Sequence, residues 1–154
     1  MATDDADELR RLMQRMFRRF GALATDSTPC GKPISMVHAH ALMTLLVKGE
    51  LSQQELGAEL CVDKSNVARL CAKMVEAGHV KQRASELDGR SRLVSLSARG
   101  ERLANEVDAS SRARFSALLA AVPAGRRAHV VDTLQLLVAA LDTLPTAPTE
   151  ERAS

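Results

Sequence analysis

LSQQELGAELCVDKSNVARLCAKMVEAGHVKQRASELDGRSRLVSLSARG, running from Leu51 to Gly100, holds two short helical patterns, a tight turn between them and then a change of period. Ser52 and Glu55 form an S-x-x-E capping box, which satisfies backbone N–H groups where a helix begins. That places a helix over 52–60 with Leu56 and Leu60 inward, and Cys61 and Val62 make the turn. Asp63 caps the next helix, Lys64 to about Ala77, which Gly78 closes. Val67, Leu70, Cys71 and Met74 recur at steps of three and four and form its inward face, leaving Ser65, Asn66, Arg69 and Lys73 outward. Beyond Gly78, Val80, Gln82 and Ala84 alternate with Lys81, Arg83 and Ser85, and Leu93 to Leu96 follow the stretch ELDGRS. Two short strands joined through Asp88-Gly89 read as a β-hairpin with a thin apolar set.

Helices flank this block on both sides. Leu9, Leu12, Met13, Met16, Phe17 and Phe20 make one apolar stripe on a helix from about Asp5 to Leu23, and TDSTPCGKP then breaks it. Ser35 caps a second helix running to about Lys48, with Leu42, Leu45 and Leu46 on its apolar side and Gly49 at its end. Ser97 caps a helix to about Ala121, whose stripe is interrupted by the polar ASSRAR, and Pro123 and Gly125 mark a bend. The last helix carries Val130, Leu134, Leu137, Leu141 and Leu144 in steps of four and three, a seam suited to helix-on-helix packing. The tail PTAPTEERAS is expected to fray. The fold class is therefore mainly α with a small β-hairpin. Three segments follow: 1–34 as an N-terminal helix and loop, 35–100 as the central unit and 101–154 as C-terminal helices.

Composition narrows the function. At 154 residues, 45% hydrophobic and 26% charged, the chain has the makings of one globular domain. No apolar run approaches the roughly 20 residues of a membrane helix. The acidic, polar start MATDDADELRR is unlike a secretory signal, so a cytoplasmic location is expected. Three cysteines, Cys30, Cys61 and Cys71, include no CxxC pair, which argues against a disulfide framework or a zinc finger. Net charge is +2, but residues 63–102 alone carry nine Lys/Arg against five Asp/Glu, so an anionic partner would dock there. The chain has no Trp or Tyr, and its three Phe lie outside that basic segment. Single-strand binders stack bases on aromatic rings, so duplex is favoured.

Two helices about a tight turn match a helix-turn-helix, in which the first braces across the backbone and the second enters the major groove. Such a surface needs short polar groups near the helix N-terminus and cations further along. Lys64, Ser65, Asn66, Arg69 and Lys73 supply them, with Ser52 at the start of the bracing helix. Asn pairs with adenine and Arg with guanine, each worth about 1–3 kcal/mol of discrimination. The hairpin adds Lys81, Arg83, Arg90 and Arg92, cations suited to a narrow minor groove, and Asp88 holds its turn. An ordinary amphipathic helix with a solvated face explains the outward residues of 63–77 equally well. It does not explain the capping box, the spacing and the basic hairpin together.

The segment 51–100 resembles the MarR/SlyA family of winged helix-turn-helix transcriptional regulators. The D-x-R of the wing falls on Asp88 and Arg90, the closing V-S-L-[ST]-x-x-G on Val94 through Gly100, and Ser65, Asn66 and Arg69 sit where such proteins place base-reading residues. The order of helices follows the family along almost the whole chain. One departure is Cys61, where these proteins commonly carry glycine. The resemblance implies a homodimer joined through the first and last helices, a pseudo-palindromic operator, and small-molecule or redox control. It further implies a small anionic aromatic ligand in a pocket beside His38, shared with Met13, Arg15 and Met16. Independently of the family, two apolar-striped end helices are more than a lone winged helix needs, which points to a dimer.

The signal sensed is less legible. Cys30 lies in a Pro/Gly stretch, where an exposed thiolate could be oxidised, and equally where an inert loop cysteine would sit. His38 and His40, two apart on a helix, point to nearly opposite sides, while His79 and His129 stand alone in the sequence. No metal site and no cofactor are expected, though a redox- or metal-responsive regulator using Cys30 with His38 is an alternative. No Walker loop, GxSxG, HExxH or carboxylate pair suggests an enzyme. A helical protein-interaction module without DNA binding is the alternative of another class.

Overall fold

The computed structural model describes residues 2–145; most of the tail expected to fray, from 146 on, lies outside the described residues. Helix α1 spans Ala2–Phe20, α2 Met36–Lys48, α3 Gln53–Leu60, α4 Lys64–Glu76, α5 Ala98–Ala120 and α6 Arg127–Asp142, the last preceded by a 3-10 turn at Ala124–Arg126. The strands are β1 Leu51–Ser52, β2 Val80–Ala84 and β3 Arg92–Leu96, in the order β1-β3-β2, all antiparallel.

Three boundaries differ from the sequence reading. The first helix stops at Phe20 because Gly21, at φ 89, turns the chain out of the helical region. The hairpin is a three-stranded sheet, since Leu51 and Ser52 pair with Val94 and Leu93. The polar ASSRAR does not interrupt α5, because a helix tolerates a solvated turn once its backbone ladder is established.

The caps are local and follow the sequence. Ser52 Oγ accepts from Glu55 N at 3.1 Å and the Glu55 carboxylate accepts from Ser52 N at 2.7 Å. The Ser52 backbone N–H, followed by the Ser52 hydroxyl, holds the Glu55 carboxyl below its ordinary value. Asp63 accepts from Asn66 N at 2.8 Å, and Ser97 Oγ accepts from Gly100 N at 3.0 Å while donating to Gly78 O at 2.6 Å.

The core gathers where α2, α3, α4 and the sheet meet. Leu42, Leu56, Val67, Cys71, Met74 and Val94 are buried there, with Ala104 of α5 behind them. Gly100 lies so close to the β2 entry that a Cβ would fall 1.8 Å from His79 O, so only glycine fits the α5 start against that strand. Helix α6 buries none of its residues, and α1 presents Leu9, Leu12, Met16 and Phe17 to solvent. What ties the end of α1 to α5 is Phe20 against Phe115, with ring centroids 5.2 Å apart, and Arg114 donating to Phe20 O at 2.8 Å.

Candidate nucleic-acid interface

Helix α4 is split lengthwise. Val67, Leu70, Cys71 and Met74 are buried, and Lys64, Ser65, Arg69 and Lys73 are exposed on the other side. Burial among these apolar neighbours pushes the Cys71 thiol up, so it is a packing residue. Asn66 is half-buried, and its Nδ2 donates to Asp63 at 2.9 Å, so its amide is partly engaged by the cap. Beside α4, residues 85–91 close the hairpin. Ser85 N donates to Ser91 O and Ser91 N to Asp88 O, each at 2.9 Å, and Asp88 Oδ1 accepts from Arg90 N at 3.1 Å. Asp88 thus shapes the turn from which Arg90 projects. Lys64, Arg90 and Arg92 border one groove of about 500 Å³, together with Gln53, Gln54 and Ala68.

Besides Asn66 and Asp88, two further residues of the expected set have a partner within the chain. Ser52 spends its hydroxyl on the α3 cap. Arg83 faces Glu50 rather than standing free, with Nε at 3.1 Å and Nη2 at 2.6 Å from the two carboxylate oxygens, and this bidentate contact raises its guanidinium further. Glu50, which carries no motif, escaped the sequence reading because 33 residues separate the pair.

The expected ligand set does not assemble. His38 is buried and its Nε2 meets His79 Nδ1 at 3.0 Å, so His79 is not solitary. A concavity near the end of α1 is instead lined by Phe20, Cys30, Met36, His40, Arg114 and Phe115. A cleft of about 550 Å³ continues it past Met16, Arg19 and Leu118. Met16 is therefore on that wall, while Met13, Arg15 and His38 are not among its lining residues. Cys30 is half-buried with Sγ 3.1 Å from Thr28 Oγ1. Among the described residues no three His, Cys, Asp or Glu side chains come together as metal ligands, and no helix is long and apolar enough to cross a membrane.

A short bracing helix, a second helix with one polar and cationic side exposed, and a basic three-stranded wing define a winged helix-turn-helix protein. The model of the MarR family matches residues 33–91, which contain both helices and most of the wing. Over those residues the chain is similar to the MarR family. No curated protein sequence matches it. Among solved structures, the PcaV transcriptional regulator from Streptomyces coelicolor in complex with its natural ligand is 21% identical, with a TM-score of 0.69 over 91% of this chain and 95% of that one. A MarR transcriptional regulator from Methanosarcina mazei Go1 is 21% identical, with a TM-score of 0.72 over 90% of this chain and 99% of that one. FabT from Streptococcus pneumoniae, in complex with DNA, is 16% identical, with a TM-score of 0.73 over 94% and 100%. At these identities the likeness speaks for the fold.

Proposed function

We propose that this chain is a sequence-specific duplex-DNA-binding transcriptional repressor that acts as a homodimer and leaves its operator on binding a small anionic aromatic ligand or on oxidation. The observation that carries the reading is the exposed polar side of α4 beside a basic wing, with Lys64, Arg90 and Arg92 around one groove. Ser65, Asn66 and Arg69 read base edges in the major groove, Lys64, Lys73 and Arg92 neutralise phosphates, and Arg90 enters the minor groove from a turn held by Asp88. Ser52 sets the bracing helix against the backbone through its cap. Residues 35–100 are the DNA-binding unit, and 1–34 with 101–154 join the two copies. FabT, of the same fold, is seen with DNA.

Ligand control finds support in the apolar concavity at Phe20, Met36 and Phe115, where Arg114 supplies a cation for a carboxylate. PcaV, of the same fold, is seen with its natural ligand. Cys30 lies on the same wall, which gives oxidation a place to act. The reading is tested by selecting genomic fragments with purified protein and titrating the winner against salt. An inverted repeat with half-sites about 34–36 Å apart is expected, with affinity falling steeply as salt rises. Release is tested by adding a panel of aromatic carboxylates, and separately peroxide, to the bound fragment. Failure to retain any duplex at low salt overturns the reading in favour of a helical interaction module.

A further inference from the structure

We infer that the Arg83–Glu50 ion pair is a clamp that sets the pose of the wing against α4, making Arg83 a positioning residue for operator recognition rather than a phosphate contact; this rests on the DNA-binding reading above. The strand order β1-β3-β2 puts Arg83 on one outer strand and Glu50 immediately before the other. Arg83 pairs with Leu93 in register, and Leu93 with Ser52. Glu50 is two residues before Ser52, so alternation puts it on the same face. The outer strands of a three-stranded sheet lie about 10 Å apart, so the Arg83 and Glu50 side chains together bridge the sheet across β3.

Its two bonds, 3.1 and 2.6 Å, fix the guanidinium plane as well as its distance. The anchored end matters. Glu50 leads through Leu51 into Ser52, the cap of the bracing helix α3, so the pair ties the outer wing strand directly to the helix-turn-helix. Arg90 lies beyond the anchored strand, in the exposed turn, where a small tilt at Arg83 becomes a larger displacement at the tip. The charge of Arg83 is already matched by Glu50, with Glu86 also acting on it, so little is left for a phosphate. Both partners are partly solvated, with side chains 53% and 33% exposed, and exposed pairs add little to global stability. The clamp therefore acts on pose, not on whether the chain folds.

Simple electrostatics and the clamp predict opposite signs at Glu50. If Arg83 served a phosphate, removing Glu50 would free it and binding would hold or tighten. With the clamp, removing either partner loosens the wing. The experiment is a double-mutant cycle on the full-length protein with the selected operator fragment, using Arg83→Ala, Glu50→Ala and both together, plus Arg83→Lys, which keeps the charge and loses the fork. The expected result is about tenfold weaker binding for each single variant and no further loss in the double. Arg83→Lys binds as weakly as Arg83→Ala. The salt slope and thermal midpoint stay at parental values, and hydroxyl-radical protection fades in the flanking minor grooves while the α4 footprint remains. Full affinity in Glu50→Ala, additive losses, full affinity in Arg83→Lys, or a salt slope lowered by about one in Arg83→Ala would each overturn the clamp. Should the parent protein retain no duplex at all, the DNA-binding reading itself fails, an outcome separate from any of these.

Discussion

His38 and His79 meet inside the protein, Nε2 of one 3.0 Å from Nδ1 of the other, with the rings nearly edge-on at 68°. His38 comes from the first turn of α2 and His79 from the step between α4 and β2, so the contact joins the pocket-side helix to the root of the wing. One ring must donate and the other accept, which requires the accepting nitrogen to carry no proton and forbids both rings from being charged at once. Burial, then His79, then Lys73 lower the His38 pKa to about 4, and burial followed by Arg99 lowers that of His79.

A stability loss in acid follows from that pair. In the unfolded chain His38 takes up its proton near pH 6.5, whereas in the folded protein it resists until about 4. Between these values the unfolded state holds more protons, so stability is full above pH 6.5 and falls as pH drops towards 4. The His38 shift is worth about 1–3 kcal/mol over that window. Urea denaturation at pH 7 and pH 4.5 measures it for the parent and for His79→Gln. The variant should start less stable and lose less on acidification. Parallel pH profiles for the two proteins would refute the assignment.

Arg69 and Arg90 should fail in different ways. Arg69 lies on the exposed side of α4, and its replacement by Ala should cost about 1–3 kcal/mol on the best operator, with the loss confined to the base pair it reads. Arg90 projects from the turn that Asp88 holds. Arg90→Ala should weaken binding most where the flanking minor groove is narrow and A·T-rich, with no change in the choice of base at the position Arg69 reads. Competition titrations on point-substituted operators, repeated at two salt concentrations, separate the two. Equal losses on every sequence for both variants would contradict the groove assignment.

Cys61 shows why glycine is favoured at the turn between α3 and α4. It is the one described non-glycine residue with positive φ, at 53°, and Val62 N donates to Gly57 O at 2.9 Å in the manner of a helix C-terminal turn. A side chain in the left-handed region costs about 1–2 kcal/mol, and glycine gives back about 0.4–1 kcal/mol through its freer unfolded state. Cys61→Gly should therefore stabilise by about 0.5–1 kcal/mol, raising the urea midpoint at constant m-value, with Cys61→Ser as a neutral control. A midpoint that stays put or falls would show that the turn carries no strain.

Legibility in the sequence tracked sequence separation. The Ser52–Glu55 box, the Asp63 and Ser97 caps and the split faces of α4 involve neighbours within a turn or two, and their positions were readable. Strand β1 was not, because two residues carry no period and its partners Val94 and Leu93 lie some forty positions on. The same distance hid His79 behind His38 and Glu50 behind Arg83. The family resemblance implies a ligand role for His38, and the basic hairpin suggests a minor-groove role for Arg83. Only the folded chain reveals that each faces another side chain.

The exposed apolar end helices lead to the last prediction. Leu134 is 46% exposed, Leu136 73%, Val138 56% and Leu141 62%, with Leu144 just past the helix at 60%, which leaves α6 with an apolar surface that no other described residue of the chain covers. A lone exposed leucine would be unremarkable, but a run along one helix marks an interface. A second copy is the fitting occupant, since α1 of the same chain offers a matching stripe at Leu9, Leu12, Met16 and Phe17. Leu134→Glu with Leu141→Glu places two charges in that contact without touching a core residue. Sedimentation should show a monomer where the parent is a dimer, while circular dichroism keeps the helical signal. Operator affinity should fall by about 100-fold or more, because the second half-site no longer binds at high effective concentration. The parent's thermal midpoint should rise with protein concentration and the variant's should not. A parent that sediments as a monomer at tens of micromolar would mean that the end helices fold against their own chain instead.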